Sequence, residues 1–199
     1  MIFISGRGSN LLAIAKSVEE GYIRNLDIVK VISDNPEAEG LFKIREKGID
    51  SIYVYPGEKI SRFDDEGVKR YMEVINKYDA DYIFLAGFMR ILDKRIIDSV
   101  DYVLNIHPSL LPSFKGLHAQ RQAIEYGVKV SGCTVHFVDT DVDTGPIILQ
   151  RTVPVFANDT EETLSERILK EEHKAYPDAI KLLVENRLEI NGRIVKIKE

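Results

Sequence analysis

The segment Ile2-Phe3-Ile4-Ser5-Gly6-Arg7-Gly8-Ser9-Asn10 decides the fold of this 199-residue chain. Its first three residues form an apolar run that predicts a buried strand, and a glycine-rich turn follows directly. Apolar residues at 11, 12, 14 and 15 predict a helix to about Glu20, capped by Ser9 or Asn10 and ended by Gly21. A buried strand joined to a helix by a tight turn is typical of a βαβ unit with parallel strands.

The same alternation of short apolar runs and helical patterns continues along the chain. It predicts strands at 2–4, 28–32, 51–54, 82–85, 103–107, 130–138 and 147–153, and helices at 10–20, 37–47, 63–77, 118–126 and 160–185. The last two strands alternate in character, which favours antiparallel pairing near a sheet edge. Pro177 predicts a kink or break in the last helix, and Asn191-Gly192 predicts a hairpin in the tail. These patterns indicate one α/β domain over residues 1–199, with a mostly parallel twisted sheet, helices on both faces, a long C-terminal helix and a β-hairpin.

The composition excludes several classes of protein. It is 44% hydrophobic and 30% charged, which is ordinary for a globular domain and argues against disorder. The net charge of -5 gives no overall basic field for nucleic acid or an anionic membrane. The single cysteine, Cys133, lies in an apolar run and is expected to be a buried side chain. The N-terminus lacks a signal peptide pattern and no run is long enough to span a membrane, so we expect a cytoplasmic protein.

The glycine-rich turn after the first strand is a candidate phosphate site. Its glycines let the backbone approach a ligand closely, and the following helix presents unpaired amides and the positive end of its dipole. Ser9 and Asn10 can add side-chain donors. The dinucleotide fingerprint would need glycine where Leu11 stands, and the lysine of a P-loop is absent. The alternative interpretation is a plain strand-to-helix turn.

The segment Leu85-Ala-Gly-Phe-Met-Arg-Ile-Leu92 follows another predicted strand. Gly87 allows close approach, and the apolar side chains Phe88, Met89, Ile91 and Leu92 could form the wall of a pocket for a planar heteroaromatic ligand. The alternative is that Ile91 and Leu92 belong to the core at a helix start.

Asn105 and His107 stand two residues apart at a strand end, so their side chains point to one face of the sheet. Pro108 favours extended backbone at the histidine, which continues this geometry. An amide N–H can stabilise an oxyanion, and an imidazole can move a proton near neutral pH. This pair suits acyl transfer, and we favour direct attack by a substrate amine over an acyl-enzyme intermediate. The alternative is a structural histidine.

The segment Asp139-Thr-Asp-Val-Asp-Thr-Gly-Pro146 carries three carboxylates at alternate positions. A calcium loop would need glycine at Thr144 and glutamate at Gln150, so calcium binding is disfavoured. We expect a tight turn in which Asp143 reaches His107, orients the ring and favours its charged form. Asp139 and Asp141 are expected to form the turn or face solvent.

These segments, together with Asn105-Ile-His-Pro-Ser-Leu-Leu-Pro112 and Glu172-His173, give the whole chain a resemblance to the folate-dependent phosphoribosylglycinamide formyltransferases. The resemblance implies a formyltransferase-type, Rossmann-like fold and transfer of a formyl group from 10-formyltetrahydrofolate to the amine of 5-phosphoribosylglycinamide, in purine biosynthesis. It implies a phosphate-binding half at about 1–100, a folate-binding and catalytic half at about 101–199, and no metal.

The resemblance also implies roles for individual residues. Asn105, His107 and Asp143 match the catalytic group. The substrate-binding residues implied are Gly8, Ser9 and Asn10 for the phosphate and Glu172 for the ribose hydroxyls. The folate-binding residues implied are Arg62, Met89, Arg90, Ile91, Leu92, Asn105, Asp139, Thr140, Asp141, Val142 and Asp143. Lys115 stands in a loop that gives it no assigned role.

Three alternatives stay open at the level of sequence. A formyltetrahydrofolate hydrolase and a methionyl-tRNA formyltransferase resemble this domain, but each carries a further domain, and the acidic balance suits tRNA poorly. A Rossmann-like module that binds a nucleotide without catalysis, or a dehydrogenase, is disfavoured by Leu11 in the broken fingerprint. The partners expected are the two small-molecule substrates, with a monomer or homodimer as the assembly.

Overall fold

The computed structural model describes residues 1–198 and has a single nine-stranded sheet in that range. The strands are β1 (Ile2–Ile4), β2 (Val31–Ser33), β3 (Ser51–Tyr53), β4 (Tyr82–Leu85), β5 (Tyr102–His107), β6 (Val130–Phe137), β7 (Ile147–Pro154), β8 (Leu188–Asn191) and β9 (Ile194–Ile197). The helices are α1 (Ser9–Glu19), α2 (Glu39–Glu46), α3 (Asp65–Lys77), α4 (Lys94–Ile97), α5 (Ala119–Tyr126) and α6 (Glu161–Val184).

The strand order across the sheet is β3-β2-β1-β4-β5-β6-β7-β9-β8. Strands β1 to β5 pair in parallel, as their continuous apolar character predicts. Strand β6 is antiparallel to both β5 and β7, which confirms the prediction from its alternating pattern. The order changes direction between β1 and β4, and ligands of open α/β sheets bind at such a point, beyond the carboxyl ends of the strands.

Two apolar clusters, one for each set of helices, cover the sheet. The larger contains Ile14 of α1, Leu41 of α2 and Ile168 of α6. The smaller contains Phe3 of β1 and Tyr71 of α3, whose rings meet edge to face at 5.4 Å. Burial of these apolar side chains is the main force that holds the helices on the sheet. The α/β fold with helices on both faces, a long C-terminal helix and a hairpin is therefore confirmed.

The structure differs from the sequence expectations at α1 and α6. Gly8, not Ser9 or Asn10, occupies the N-cap position of α1 in the left-handed conformation. Helix α6 is one continuous element through Pro177, so of the predicted kink or break, the break is wrong. The proline lies among buried side chains of the same helix, and their packing on the sheet outweighs one lost backbone hydrogen bond. Thr160 caps α6 in a reciprocal pair of hydrogen bonds with Thr163.

Two further elements differ from the sequence expectations. Strand β2 covers Val31–Ser33 instead of 28–32, because these are the residues that pair with β1 on one side and β3 on the other. The short helix α4 was not predicted; Asp93 caps it by accepting a hydrogen bond from the backbone N–H of Arg95. Neither difference moves a strand end at which site residues were expected.

Candidate functional site

The candidate site lies where β1, β4 and β5 end side by side. The loops after β1 and β4 are joined by two hydrogen bonds. The backbone N–H of Ser5 donates to the carbonyl of Gly87 at 3.0 Å, and the N–H of Met89 donates to Oγ of Ser5 at 2.9 Å. The glycine-rich turn and the expected folate segment therefore form one continuous surface at the carboxyl edge of the sheet.

The glycine-rich turn brings the N-terminus of α1 against that of α2. Gly8 has φ of 73°, and a Cβ built on it would lie 2.7 Å from Cα of Gly40, so glycine is required at this position for two reasons. Among residues 1–198, no side chain caps the N-terminus of α1. Its first-turn amides can therefore donate to an anion, and phosphate is the ligand that such an uncapped helix start favours.

Asn10 and Glu172 meet beside this turn. Nδ2 of Asn10 donates to Oε2 of Glu172 at 2.7 Å, and both side chains are buried. Burial raises the pKa of Glu172, although the hydrogen bond from Asn10 acts in the other direction. Oδ1 of Asn10 is buried and has no partner in the described range 1–198. An acceptor without a donor and a buried carboxylate together suit a ligand that carries hydroxyl groups.

Asn105 and His107 lie side by side at the end of β5, as predicted, and the turn after β6 brings Asp143 to them. Oδ2 of Asp143 lies 3.3 Å from Nδ1 of His107, and Oδ1 lies 3.5 Å from Nδ2 of Asn105. The three side chains that the sequence selected from two separate loops therefore converge. Their catalytic role stays a prediction.

The backbone around Asp143 explains its placement. Asp143 has φ of 51°, an uncommon conformation for a residue with a side chain. A Cβ on Gly145 would lie 1.8 Å from the carbonyl oxygen of Phe137, so the turn passes close to β6. The backbone N–H of Gly116 donates to Oδ2 of Asp143 at 2.8 Å. Although burial opposes ionisation, the neighbouring His107 ring and this bond lower the pKa of Asp143, so its carboxylate is charged at neutral pH.

The ring of His107 has an acceptor at each nitrogen. Nδ1 faces Asp143, and Nε2 lies 2.8 Å from the carbonyl oxygen of Phe114, so only the imidazolium satisfies both contacts. We expected Asp143 to raise the pKa of His107. Its carboxylate does act in that direction, but burial is the larger effect and the pKa of His107 is lowered. Once charged, the ring is a stronger acid than an exposed imidazolium.

Sequence reasoning missed His136, a buried histidine of β6. Its Nε2 lies 3.3 Å from Nδ2 of Asn105 and 3.7 Å from Oδ1 of Asp143. Its Nδ1 lies 2.7 Å from the carbonyl oxygen of Phe137. The signal available in the sequence was the alternation of β6, which places His136 on the same face as Thr134, but that pattern does not identify the residue opposite on β5.

The segment after β4 divides its apolar side chains between core and surface. Leu92 and Phe88 are buried in the smaller apolar cluster, which agrees with the core alternative for Leu92, and a part for Leu92 in folate binding stays a prediction. Met89 is 60% exposed and Ile91 is half-buried. These two residues are the apolar side chains that this segment can offer to a ligand.

Arg90 is held by protein groups instead of facing outward. Its Nε donates to Oδ2 of Asp34 at 2.8 Å, and its Nη1 donates to the carbonyl of Arg62 at 3.1 Å and to that of Lys59. The backbone N–H of Ile91 also donates to Ser61, at 3.0 Å. The guanidinium of Arg90 thus fixes the segment before α3 beside the site, while the side chain of Arg62 is exposed.

The loop from Asp139 to Asp143 has one ordered acidic side chain besides Asp143. Oδ1 of Asp139 accepts hydrogen bonds from Oγ1 of Thr144 at 2.6 Å and from the N–H of Asp141 at 3.3 Å. This confirms Asp139 as a turn-former. Thr140, Asp141 and Val142 are exposed, which leaves them accessible to a ligand at the carboxyl edge.

The remaining findings concern features outside this site. Cys133 is fully buried, and burial raises the pKa of its thiol to about 12, so it is no nucleophile at neutral pH. Within residues 1–198, no group of three or more His, Cys, Asp or Glu side chains has the arrangement of a metal site. No helix in this range combines the length and apolar character needed to cross a membrane.

Comparisons with known proteins agree on one family. Residues 1–180 match the family model described as formyl transferase. Over 96% of its length the chain is 39% identical to the phosphoribosylglycinamide formyltransferase of Escherichia coli strain K12, and the match covers 89% of that protein. Over its whole length it is 44% identical to part of the trifunctional purine biosynthetic protein adenosine-3 of Homo sapiens. The chain spans about a fifth of the length of that trifunctional relative (20%).

A solved structure gives the same result for the fold. The crystal structure of glycinamide ribonucleotide transformylase 1 from Symbiobacterium toebii aligns with a TM-score of 0.93 at 48% sequence identity, covering 100% of this chain and 92% of that one. The similarity therefore includes the loops at the carboxyl edge as well as the sheet.

Proposed function

Because the chain belongs to the formyl transferase family, we propose that it transfers the formyl group of 10-formyltetrahydrofolate to the amine of 5-phosphoribosylglycinamide. The products are formylglycinamide ribonucleotide and tetrahydrofolate, in purine biosynthesis. One observation carries this proposal beyond family membership: polar atoms of Asn105 and His107 both lie within 3.5 Å of the Asp143 carboxylate, at the sheet edge that also holds the glycine-rich turn.

The glycine-rich turn fits the phosphorylated substrate. The uncapped start of α1 at Gly8, Ser9 and Asn10 offers backbone donors to the phosphate. Glu172 can accept a hydrogen bond from one ribose hydroxyl, and Oδ1 of Asn10 can accept from another. These groups would hold the phosphoribosyl part, while the amine extends toward Asn105 and His107.

The surface between the loops after β4 and β6 fits the folate. It offers the apolar side chains of Met89, Ile91 and Val142, and a Cβ on Gly87 would meet nothing within 4 Å, so a flat ring system can approach the backbone there. Arg62 adds an exposed guanidinium for a carboxylate of the folate tail. The side chains that line this surface are mostly apolar with few polar groups, which suits a heteroaromatic ring.

The chemistry follows from three side chains. The substrate amine attacks the formyl carbon in its neutral form, and Asn105 donates an N–H to the oxygen that becomes negative. A well-placed donor of this kind contributes about 3–4 kcal/mol in acyl transfer. Imidazolium His107 gives a proton to the folate nitrogen as the carbon–nitrogen bond breaks, and the proton that the attacking amine loses on becoming an amide returns to the ring. Asp143 stabilises the imidazolium and orients its ring.

Proton transfer requires a change at the loop that contains Phe114. Nε2 of His107 donates to the carbonyl of Phe114 at 2.8 Å, so this bond must open before Nε2 can face a ligand. Phe114 itself has φ of 53°, a conformation that stores strain in a residue with a side chain. Release of this carbonyl on substrate binding is therefore a step that the loop is suited to make.

The test compares transfer with hydrolysis. Purified protein is mixed with 10-formyltetrahydrofolate, and loss of the formyl group is followed by absorbance with and without 5-phosphoribosylglycinamide. We expect turnover that depends on the amine, and a fall of orders of magnitude in the His107→Ala variant with unchanged circular dichroism. Equal turnover without the amine would identify a hydrolase and overturn the proposal, and near-normal turnover in His107→Ala would overturn the role of His107.

A further inference from the structure

We propose that His136 is a positioning residue for formyl transfer: it holds the side-chain amide of Asn105 so that one N–H faces the oxygen of the formyl group. This inference rests on the proposed function, which itself assigns His136 no part. It rests on three relationships between His136 and its surroundings: its register on the sheet, its tautomer, and the direction of the Asn105 amide.

The register places the two side chains directly opposite each other. Asn105 of β5 and His136 of β6 are paired residues of the antiparallel ladder, so their side chains leave the same face of the sheet. The β6–β7 pairing shifts register between Val135 and His136, immediately at this residue. The extra residue of this irregularity, Ile148, lies on β7, so the β5–β6 ladder stays regular and keeps His136 opposite Asn105.

The tautomer of His136 is fixed by its neighbour on the chain. Nδ1 lies 2.7 Å from the carbonyl oxygen of Phe137, which can only accept, so Nδ1 carries the proton. The same carbonyl is held in place by the close approach of Gly145. In the neutral ring Nε2 then has a lone pair, and this lone pair faces Asn105. Since the ring is 2% exposed, water does not compete for it.

The amide of Asn105 has one orientation that satisfies its neighbours. Nδ2 lies 3.3 Å from Nε2 of His136 and 3.5 Å from Oδ1 of Asp143, and these two acceptors are 3.7 Å apart. Because both are acceptors, the nitrogen and not the oxygen of the amide must face them. The angle at Nδ2 between the directions to these two acceptors is much smaller than the angle between the two N–H bonds of an amide. One N–H therefore serves both acceptors. The second N–H can then point into the site.

The consequence for catalysis is a choice between two amide orientations. With His136 as acceptor, Asn105 presents an N–H to the oxygen that becomes negative in the tetrahedral intermediate. Without that acceptor only the longer 3.5 Å contact with Asp143 holds the amide, which can then rotate by half a turn and present Oδ1, which repels the negative oxygen. His136 therefore acts through Asn105, and its contribution appears in turnover instead of in the affinity for either substrate.

The first test measures the tautomer directly. Two-bond nitrogen–proton correlation spectra of the ¹⁵N-labelled wild-type protein distinguish a ring protonated at Nδ1 from one protonated at Nε2. We expect His136 to be neutral with its proton on Nδ1 at the pH of the assay. A proton on Nε2, or on both nitrogens, would overturn the proposal, because Nε2 could then not accept from Asn105 and would face Asp143 as a donor.

The second test is a double-mutant cycle. We expect His136→Leu to lower kcat by about 10- to 100-fold with both KM values within a factor of about two, and His136→Gln, which retains an acceptor, to recover part of the loss. In an Asn105→Ala background the same His136→Leu change should lower kcat by less than about twofold, because the group it positions is gone. Equal losses in both backgrounds, or normal kcat in His136→Leu, would overturn the proposal.

A control separates positioning from general damage to β6. Val135→Ala alters the adjacent residue, whose buried side chain lies on the opposite face of the sheet in the larger apolar cluster. We expect it to lower the midpoint of thermal unfolding with kcat within a factor of about two. The wild-type and Asn105→Ala enzymes report on the proposed function independently, so failure of that function appears before any His136 variant is compared.

Discussion

Asn10 donates a 2.7 Å hydrogen bond to Glu172, and this bond joins the start of α1 to the middle of α6 beside the glycine-rich turn. The carboxylate is buried, and burial raises its pKa. A buried carboxylate is costly to the folded protein unless a ligand uses it. We therefore interpret Glu172 as a group kept for the ribose hydroxyls at the expense of stability.

The first prediction follows from that cost. Glu172→Gln keeps an acceptor for Asn10 and removes the charge. Because the folded pKa of Glu172 lies above its unfolded value, the stability that its protonation gives is present at low pH and is lost as pH rises through the folded pKa. We expect the variant to have a higher Tm than wild type at pH 7 to 8, with the gain shrinking as pH falls toward about 4.5.

The same variant should also affect the binding of one substrate and not of the other. Glu172→Gln should raise KM for the phosphorylated amine while leaving KM for 10-formyltetrahydrofolate unchanged. Thermal melts over a pH series and steady-state kinetics measure the two effects on one preparation. A Tm difference that does not depend on pH would contradict the assignment of the cost to ionisation.

The second prediction concerns the backbone of the glycine-rich turn. Gly8→Ala puts a side chain at φ of 73° and within 2.7 Å of Cα of Gly40. We expect a loss of about 1–3 kcal/mol in the free energy of unfolding and a higher KM for the phosphorylated amine. Urea unfolding and steady-state kinetics measure both.

Gly6→Ala is the matched control for that change. It lies in the same turn, but a Cβ there would meet nothing within 4 Å. We expect a change in the free energy of unfolding within about 0.5 kcal/mol. Equal destabilisation by the two alanines would show that the close contact with Gly40 is not what requires glycine at position 8.

The part of the site that could be predicted from sequence is the part fixed by local geometry. Asn105 and His107 are two residues apart on one strand, so their common face follows from strand periodicity. Gly8 lies directly after a strand, and its role follows from the turn. Asp143 was found because a glycine-containing turn after a strand brings a carboxylate back to the same edge of the sheet.

The part that could not be predicted depends on pairing between distant segments. His136 meets Asn105 through the β5–β6 ladder, which pairs segments about 30 residues apart and is not encoded in a short pattern. Arg90 stands in a segment expected to contact folate, but Asp34 of a different loop binds its guanidinium. The balance between burial and charge at His107 also depends on how the whole site packs, which composition and spacing do not specify.

The third prediction tests that balance. Asp143→Asn keeps an acceptor for the N–H of Gly116 and removes the negative charge beside His107. Since the carboxylate favours the imidazolium, its loss should lower the pKa of His107 further below the ordinary 6.5. An NMR titration of the ring Cε1–H follows this pKa directly. Turnover should also fall, and by more at pH 8 than at pH 6, because fewer rings carry the proton that the folate nitrogen needs.

Asp141→Asn provides the control for the third prediction, because it removes one charge from the exposed part of the same loop. We expect it to leave the His107 titration essentially unchanged. A pKa of His107 that stays constant or rises in Asp143→Asn would mean that the carboxylate does not favour the charged ring.

The fourth prediction separates two arginines that the resemblance placed together on the folate. The side chains of Arg90 and Asp34 are 14% and 9% exposed. Arg90→Met therefore leaves the buried carboxylate of Asp34 without its partner. Such a loss costs about 3–5 kcal/mol in the free energy of unfolding. Asp34→Asn added to Arg90→Met should recover part of it.

Arg62→Met, at an exposed side chain, should cost less than about 0.5 kcal/mol and raise only KM for 10-formyltetrahydrofolate. Urea unfolding with kinetics for each variant decides the matter: if Arg90→Met alters KM for the folate without loss of stability, Arg90 contacts the ligand and the ion pair with Asp34 is not what fixes this segment.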